Sequence, residues 1–285
     1  MDIFTGSSQI EVKDTIIGVS FPVLLHYPTI QPSSETAFGP YVMDVSTDAP
    51  VMEGQFPLVV ISHGNGGSHL LYRTISTYLA RRGYIVAMPE HYGNNRHENH
   101  LAETIENLKY RPRHVSLTID SLLESKPWQN SMASGKVAVI GHSMGGYTAL
   151  ALAGAIPRTR EGKLIEVSAD PRVKALVLLA PGTGWFWNSM DNVNIPILML
   201  TAEFDAVTPA WNAGVVMESI PDKTLLTSRM IKDAGHFSFL SPFPASMKNP
   251  HFLPSTDPHG FDREEFHRKL PAEILGFLQE KLGGS

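Results

Sequence analysis

The chain of 285 residues contains no cysteine. That excludes any disulfide and any thiolate zinc site, so the fold must rest on its apolar core, and the redox compartment stays open. Long apolar runs are missing as well; none approaches the roughly 20 residues needed to cross a bilayer. Positive charge is not in excess, the formal net charge being −5, which gives no electrostatic reason to expect nucleic acid or an anionic membrane as partner. The first residues, Met1-Asp2-Ile3-Phe4-Thr5, have neither a basic start nor a following apolar run. No secretory signal is read there, and a soluble, cytoplasmic protein is expected.

What is present is an ordinary globular composition, 42% apolar and 18% charged, sufficient for a sizeable core. At this length a single α/β domain over 1–285 is expected. Its organising stretch is Val137-Ala138-Val139-Ile140-Gly141-His142-Ser143-Met144-Gly145-Gly146. The apolar run suits a strand buried on both faces, and Tyr147-Thr148-Ala149-Leu150-Ala151-Leu152 suits a helix packed behind it. Ser143 then stands on a nucleophile elbow, a turn so sharp that the residues two before and two after must lack bulk, as Gly141 and Gly145 do.

Along the chain, alternating apolar residues over 9–28 predict a pair of antiparallel strands. Residues 29–55, rich in Pro, Ser, Thr and Asp, read as a surface loop. A buried strand over 56–61 ends at Ser62-His63-Gly64-Asn65-Gly66-Gly67, followed by a helix over about 70–82, Gly83 and a strand over 84–89. Residues 90–110 carry His91, His97 and His100, but no helical i, i+4 histidine pair, so a polar loop at the rim of a site is expected rather than a metal centre. Arg111-Pro112 predicts the start of the next helix. Strands over 173–180, 195–200 and 224–231 and a terminal helix over 262–281, with Pro271 as a candidate kink, complete the pattern. Strands alternating with helices imply a mostly parallel sheet with helices on both faces, antiparallel strands at its N-terminal edge, and a site at the carboxyl ends of the strands.

A serine hydroxyl needs a base, and the base needs a carboxylate. Downstream of an elbow of this type the partners follow in the order Ser, acid, His. His236, in Asp233-Ala234-Gly235-His236-Phe237, is the expected base, and Asp205, in Thr201-Ala202-Glu203-Phe204-Asp205, the expected acid, with Glu203 as the fallback. His142, next to the nucleophile, points elsewhere on so sharp a turn and is expected to pack beside the elbow, and His63 to hydrogen-bond loop backbone. The backbone amides of Asn65 and Met144 are the expected oxyanion donors. Trp185, Trp187, Phe237 and Phe239 are candidates for a substrate pocket. Only about fifteen residues separate the strands on either side of Trp185, so no large lid is expected there.

Residues 55–280 resemble the α/β-hydrolases of the dienelactone hydrolase-like group, and the middle of the chain is similar to platelet-activating-factor acetylhydrolases. The resemblance lies in Ser62-His63-Gly64-Asn65-Gly66-Gly67, Gly83-Tyr84-Ile85-Val86-Ala87 leading to Glu90-His91, Arg111-Pro112, and Gly141-His142-Ser143-Met144-Gly145-Gly146. It implies Ser143 as nucleophile, His236 as base, and the Asn65 and Met144 amides as oxyanion hole. The acetylhydrolases take their acid from the loop that here reads Pro181-Gly182-Thr183-Gly184; no carboxylate stands there, which favours Asp205. Dienelactone hydrolases proper use a cysteine nucleophile, absent from this chain, so their substrate is not implied. The expected activity is cofactor-independent hydrolysis of a small-molecule carboxylic ester through an acyl-enzyme, the alternatives being an amidase or peptidase with the same triad and a hydrolase-like binding protein without chemistry.

Overall fold

The computed structural model describes residues 2–126, 128–187 and 189–283. Its strands are β1 (Phe4–Asp14), β2 (Val19–Thr29), β3 (Ser34–Phe38), β4 (Tyr41–Thr47), β5 (Phe56–Ser62), β6 (Ile85–Pro89), β7 (Met132–His142), β8 (Val173–Leu179), β9 (Ile197–Ala202) and β10 (Leu226–Ile231). They form one sheet in the order β10-β9-β8-β7-β5-β6-β2-β1-β4-β3. From β10 to β6 every neighbouring pair is parallel. β2 joins β6 antiparallel and pairs with β1 along its whole length, giving the expected antiparallel edge.

The inner parallel strands carry apolar stretches, at 58–61, 85–88, 137–140, 175–179 and 197–200, because each face meets helices, whereas the edge strand β10 is largely exposed. In β5, Leu58 and Val60 face one core cluster while Val59 and Ile61 face the other. The helices are α1 (Arg73–Ala80), α2 (Ile105–Glu124), α3 (Trp128–Ser131), α4 (Met144–Leu152), α5 (Trp211–Ser219) and α6 (Arg263–Leu282). Val115 and Ile119 of α2, Leu150 of α4 and Val216 of α5 pack on the first face. Ile75 and Leu79 of α1 and Ile274 and Leu278 of α6 pack on the second. Among the described residues, no helix is long and apolar enough to cross a membrane, and the connection from β8 to β9 contains no helix.

Two expectations are corrected. The segment 29–55 is not merely a loop: β3 and β4 form a hairpin about Gly39 and Pro40, and β4 adds parallel to β1 at Gly6 and Ser46. Its alternation of buried Tyr41, Met43 and Val45 with exposed Val42 and Asp44 is short and is masked by polar neighbours. Second, α2 begins at Ile105, where the Thr104 hydroxyl accepts from the Asn107 amide at 3.1 Å, so Pro112 lies inside the helix. Proline there removes the hydrogen bond to the carbonyl four residues back. That carbonyl, of Leu108, instead accepts from the Tyr147 hydroxyl at 3.0 Å. A tertiary contact thus supplies what the helix lacks. α6 likewise runs on through Pro271.

Candidate active site

Ser143 joins the end of β7 to α4 with φ 55° and ψ −118°, a region that costs a non-glycine residue roughly 1–3 kcal/mol. Backbone hydrogen bonds hold it there. Its amide donates to Leu179 at 3.0 Å, and its carbonyl accepts from Gly146 at 2.8 Å and Gly182 at 2.9 Å. The flanking glycines are needed for space: a Cβ on Gly141 would stand 2.1 Å from the Gly145 carbonyl oxygen, and one on Gly145 would stand 1.9 Å from that of Ser62. Gly145→Ala is therefore expected to cost about 3 kcal/mol or more and to lower the melting temperature by on the order of 10 °C. An unchanged thermal melt would show that the Ser62 strand end yields freely.

His236 opens a short turn after β10, and its Nδ1 lies 2.8 Å from Asp205 Oδ2. Asp205 sits just beyond β9 with its side chain only 3% exposed. Its Oδ1 accepts from the amides of Val207 (2.8 Å) and Thr208 (2.7 Å), and its Oδ2 from the Thr208 hydroxyl (2.8 Å). Burial alone would raise this carboxyl, but the hydrogen bond and charge of His236 and the Thr208 donors outweigh it and hold Asp205 below the ordinary value. Glu203 is turned away, exposed, and accepts from the Asp233 amide at 2.9 Å. The structure thus joins His236 to Asp205 and not to the fallback acid. No hydrogen bond among the described residues involves Ser143 Oγ.

His142 backs the loop of His236. Its Nδ1 accepts from the Tyr72 hydroxyl at 3.0 Å and its Nε2 donates to the His236 carbonyl at 3.1 Å. Burial, then the neighbouring His236, pushes it down to about 3, so it is neutral. Tyr72 also accepts from the Gly64 amide at 3.3 Å, so one relay connects the glycine loop after β5 to the loop of the base. Tyr72 carried no signal in the sequence; an aromatic in a helical turn reads as core.

The glycine loop packs on the nucleophile: a Cβ on Gly64 would lie 3.3 Å from that of Ser143. Among the described residues, neither the Asn65 nor the Met144 amide donates to a backbone acceptor. The loop is held by His63, whose Nδ1 donates to the Gly64 carbonyl at 2.7 Å and whose Nε2 accepts from the His91 amide at 3.2 Å. It is also held by the 90–104 segment, where the Arg96 amide donates to Gly67 at 2.9 Å. Of the three histidines in that segment, His91 is buried and 2.9 Å from Ser62 Oγ, whereas His97 contacts Arg96 and His100 is exposed beside Glu98. They are not brought together. Among the described residues, no cluster of three or more His, Cys, Asp or Glu is placed to hold a metal.

Of the expected pocket residues, Phe237 meets the His236 ring edge-on at 5.1 Å. Trp185 lies against Gly182, whose amide binds Ser143. Trp187 is 54% exposed and leans over Gly162. Phe239 is fully buried in the core on the α6 side, against Phe266 at 5.8 Å. Exposed apolar residues that sequence reasoning missed flank the acid. Phe204 and Val207 are its near neighbours, and Trp211 begins α5 and packs over Gly184. Apolar residues in a loop around a carboxylate were the available signal.

Residues 58–275 match the alpha/beta hydrolase family. The chain belongs to that family. Its fold agrees: the solved structure of a ferulic acid esterase from Streptomyces cinnamoneus superposes with a TM-score of 0.74, covering 99% of this chain and 91% of that one at 18% identity. Among relatives, cutinase est1 of Thermobifida alba is 24% identical over 66% of this chain and 56% of its own length. The platelet-activating factor acetylhydrolase of Canis lupus familiaris is 26% identical over 53% of this chain and 44% of its own. This alpha/beta hydrolase therefore spans about half the length of the curated relatives it matches.

Proposed function

We propose that this alpha/beta hydrolase cleaves carboxylic esters through an acyl-enzyme on Ser143. The observation that carries the proposal is the buried Asp205–His236 pair, placed at adjoining strand ends beside a strained serine elbow. Ser143 Oγ attacks the ester carbonyl carbon and its proton passes to His236 Nε2, with Asp205 balancing the imidazolium that forms. The carbonyl oxygen becomes an oxyanion that takes hydrogen bonds from the Asn65 and Met144 amides. The intermediate expels the alcohol, which leaves with the proton from His236. Water then repeats the sequence on the acyl-serine and regenerates the hydroxyl. The Ser143–His236 hydrogen bond forms in the loaded complex, as catalytic hydrogen bonds commonly tighten only there.

The names of the relatives, an acetylhydrolase and a ferulic acid esterase, support an ester over an amide. The apolar rim of Phe204, Val207, Trp211, Trp185 and Phe237 supports an uncharged acyl or alcohol group on a small-molecule substrate. The test is labelling with a fluorophosphonate and digestion for mass spectrometry, beside turnover of matched nitrophenyl ester and anilide. The expected result is one adduct, on Ser143, with the ester cleaved much faster than the anilide. A folded protein that neither labels nor turns over would overturn the proposal.

A further inference from the structure

Beneath the elbow lies an arginine whose charge meets no carboxylate among the described residues. Arg111 of α2 is fully buried, and its hydrogen bonds all go to neutral acceptors. Nη1 donates to Asn94 Oδ1 at 2.6 Å, Nη2 to the His63 carbonyl and to Ser62 Oγ at 3.4 Å, and Nε to Thr148 Oγ1 at 3.3 Å. Burying a guanidinium without a counter-ion is unfavourable, and apolar side chains of like volume usually fill such a place with greater stability. Packing alone therefore does not account for it.

Two hydrogen-bond arms lead away from this guanidinium. Asn94, itself fully buried, donates through Nδ2 to Asn65 Oδ1 at 2.6 Å and to Asn99 Oδ1 at 2.6 Å. The Thr148 hydroxyl donates to the Met144 carbonyl at 3.1 Å. The arms end on the two residues whose amides receive the oxyanion. One of these, Asn65, stands exposed among Gly64, Gly66 and Gly67, a loop with little side-chain packing of its own to fix it, while oxyanion donors act only when held in place beforehand. Resting on the hydrolase reading above, we propose that Arg111 is a positioning residue that ties the two halves of the oxyanion hole together, with Asn94 and Thr148 as its arms. The planar five-donor fork of arginine reaches both arms and the His63 carbonyl at once, which a lysine ammonium cannot do.

The test compares Ser143→Ala, Asn94→Ala, Thr148→Val, Arg111→Lys and Arg111→Met in the full chain. For each, kcat and KM are measured on a short-chain nitrophenyl ester, together with the inhibition constant of phenylboronic acid, which forms a tetrahedral adduct on the serine oxygen, and a thermal melt. Each arm variant is expected to lower kcat about tenfold or more, and Arg111→Met about 100-fold. KM should stay within about twofold, and boronate affinity should fall in step with kcat. Arg111→Lys is expected not to restore turnover. Ser143→Ala should be inactive. Wild-type kcat in both arm variants, or in Arg111→Lys, would overturn the bridging role while an inactive Ser143→Ala leaves the hydrolase reading standing. A change confined to KM would also overturn it, since a displaced substrate groove would then be responsible. Full turnover by Ser143→Ala would instead remove the hydrolase reading. Should either arginine variant fail to fold, the two arm variants decide.

Discussion

Ser143→Ala is expected to lower ester turnover by about 10⁴- to 10⁶-fold, and His236→Ala by a similar factor, because in the proposed triad the two act as one unit and the loss of either would leave only binding and the proposed oxyanion hole. The acid is the more discriminating position. Asp205→Asn keeps the size of the side chain but loses the charge that balances the imidazolium, and its amide nitrogen can donate to His236 Nδ1 and stabilise the wrong tautomer. A loss of about 10³- to 10⁴-fold in kcat is expected. Glu203→Gln should remain within about twofold of the parent, since its carboxylate faces the Asp233 amide rather than the base. Steady-state kinetics on a nitrophenyl ester decides between them. Equal losses in Asp205→Asn and Glu203→Gln, or activity surviving in Asp205→Asn, would displace Asp205 from the role proposed for it.

How far the sequence foretold this arrangement follows from where each signal is written. β5, β7, β8 and β9 lie between helical layers, so their central residues, 58–61, 137–140, 175–179 and 197–200, are apolar and stand out as short hydrophobic runs. Asp205 and His236 lie just past strand ends, and strand ends can be counted along the chain. Arg111 is different. Its neighbours Leu108 and Val115 mark it as facing inward, but the acceptors that make its burial tolerable come from β5, α4 and the 90–104 loop, and no local pattern announces them. Asn94 is similar, one asparagine among several in a polar segment, distinguished only by what folds around it. Local rules also misplaced the start of α2, because the penalty for an internal proline is offset by Tyr147 from another helix. Phe239 and Phe237 illustrate the limit of reading aromatics: two residues apart on one short turn, one faces the core and the other the base.

The same burial that shapes the site makes the protein acid-labile, and a steep loss of stability is expected below pH 6.5. Burial pushes His26, His114 and His142 down to about 3 and His267 to about 4, and holds His63 and His91 well below the ordinary value. For a depressed histidine the unfolded chain takes up the proton first, from about pH 6.5 downward, while the native state stays neutral to lower pH. Stability is therefore full above 6.5 and falls as the pH drops through that window. Each such histidine costs up to about 1.4 kcal/mol per pH unit. With His26, His114, His142 and His267 alone, on the order of 5 kcal/mol is lost in one unit, comparable to the roughly 5–15 kcal/mol that a folded domain possesses. Cooperative unfolding near pH 5 is the expected result, ahead of the lowered carboxylates Asp14, Asp170 and Asp205, whose contributions are lost only as the pH falls below about 4. Urea titrations from pH 8 to 4 measure it directly, the slope of stability against pH giving the number of protons taken up on unfolding. His26→Phe isolates one of them. Among the described residues its Nε2 has no partner, and Ser76, which faces its Nδ1, keeps the Arg73 carbonyl at 3.2 Å, so a phenyl ring leaves no described group unpaired. That variant should take up one proton fewer between pH 6 and 5 and move the acid midpoint lower. A slope of fewer than two protons in the parent protein would mean that these histidines are not neutral and enclosed, and with them would go the rigid backing that His142 gives to the base.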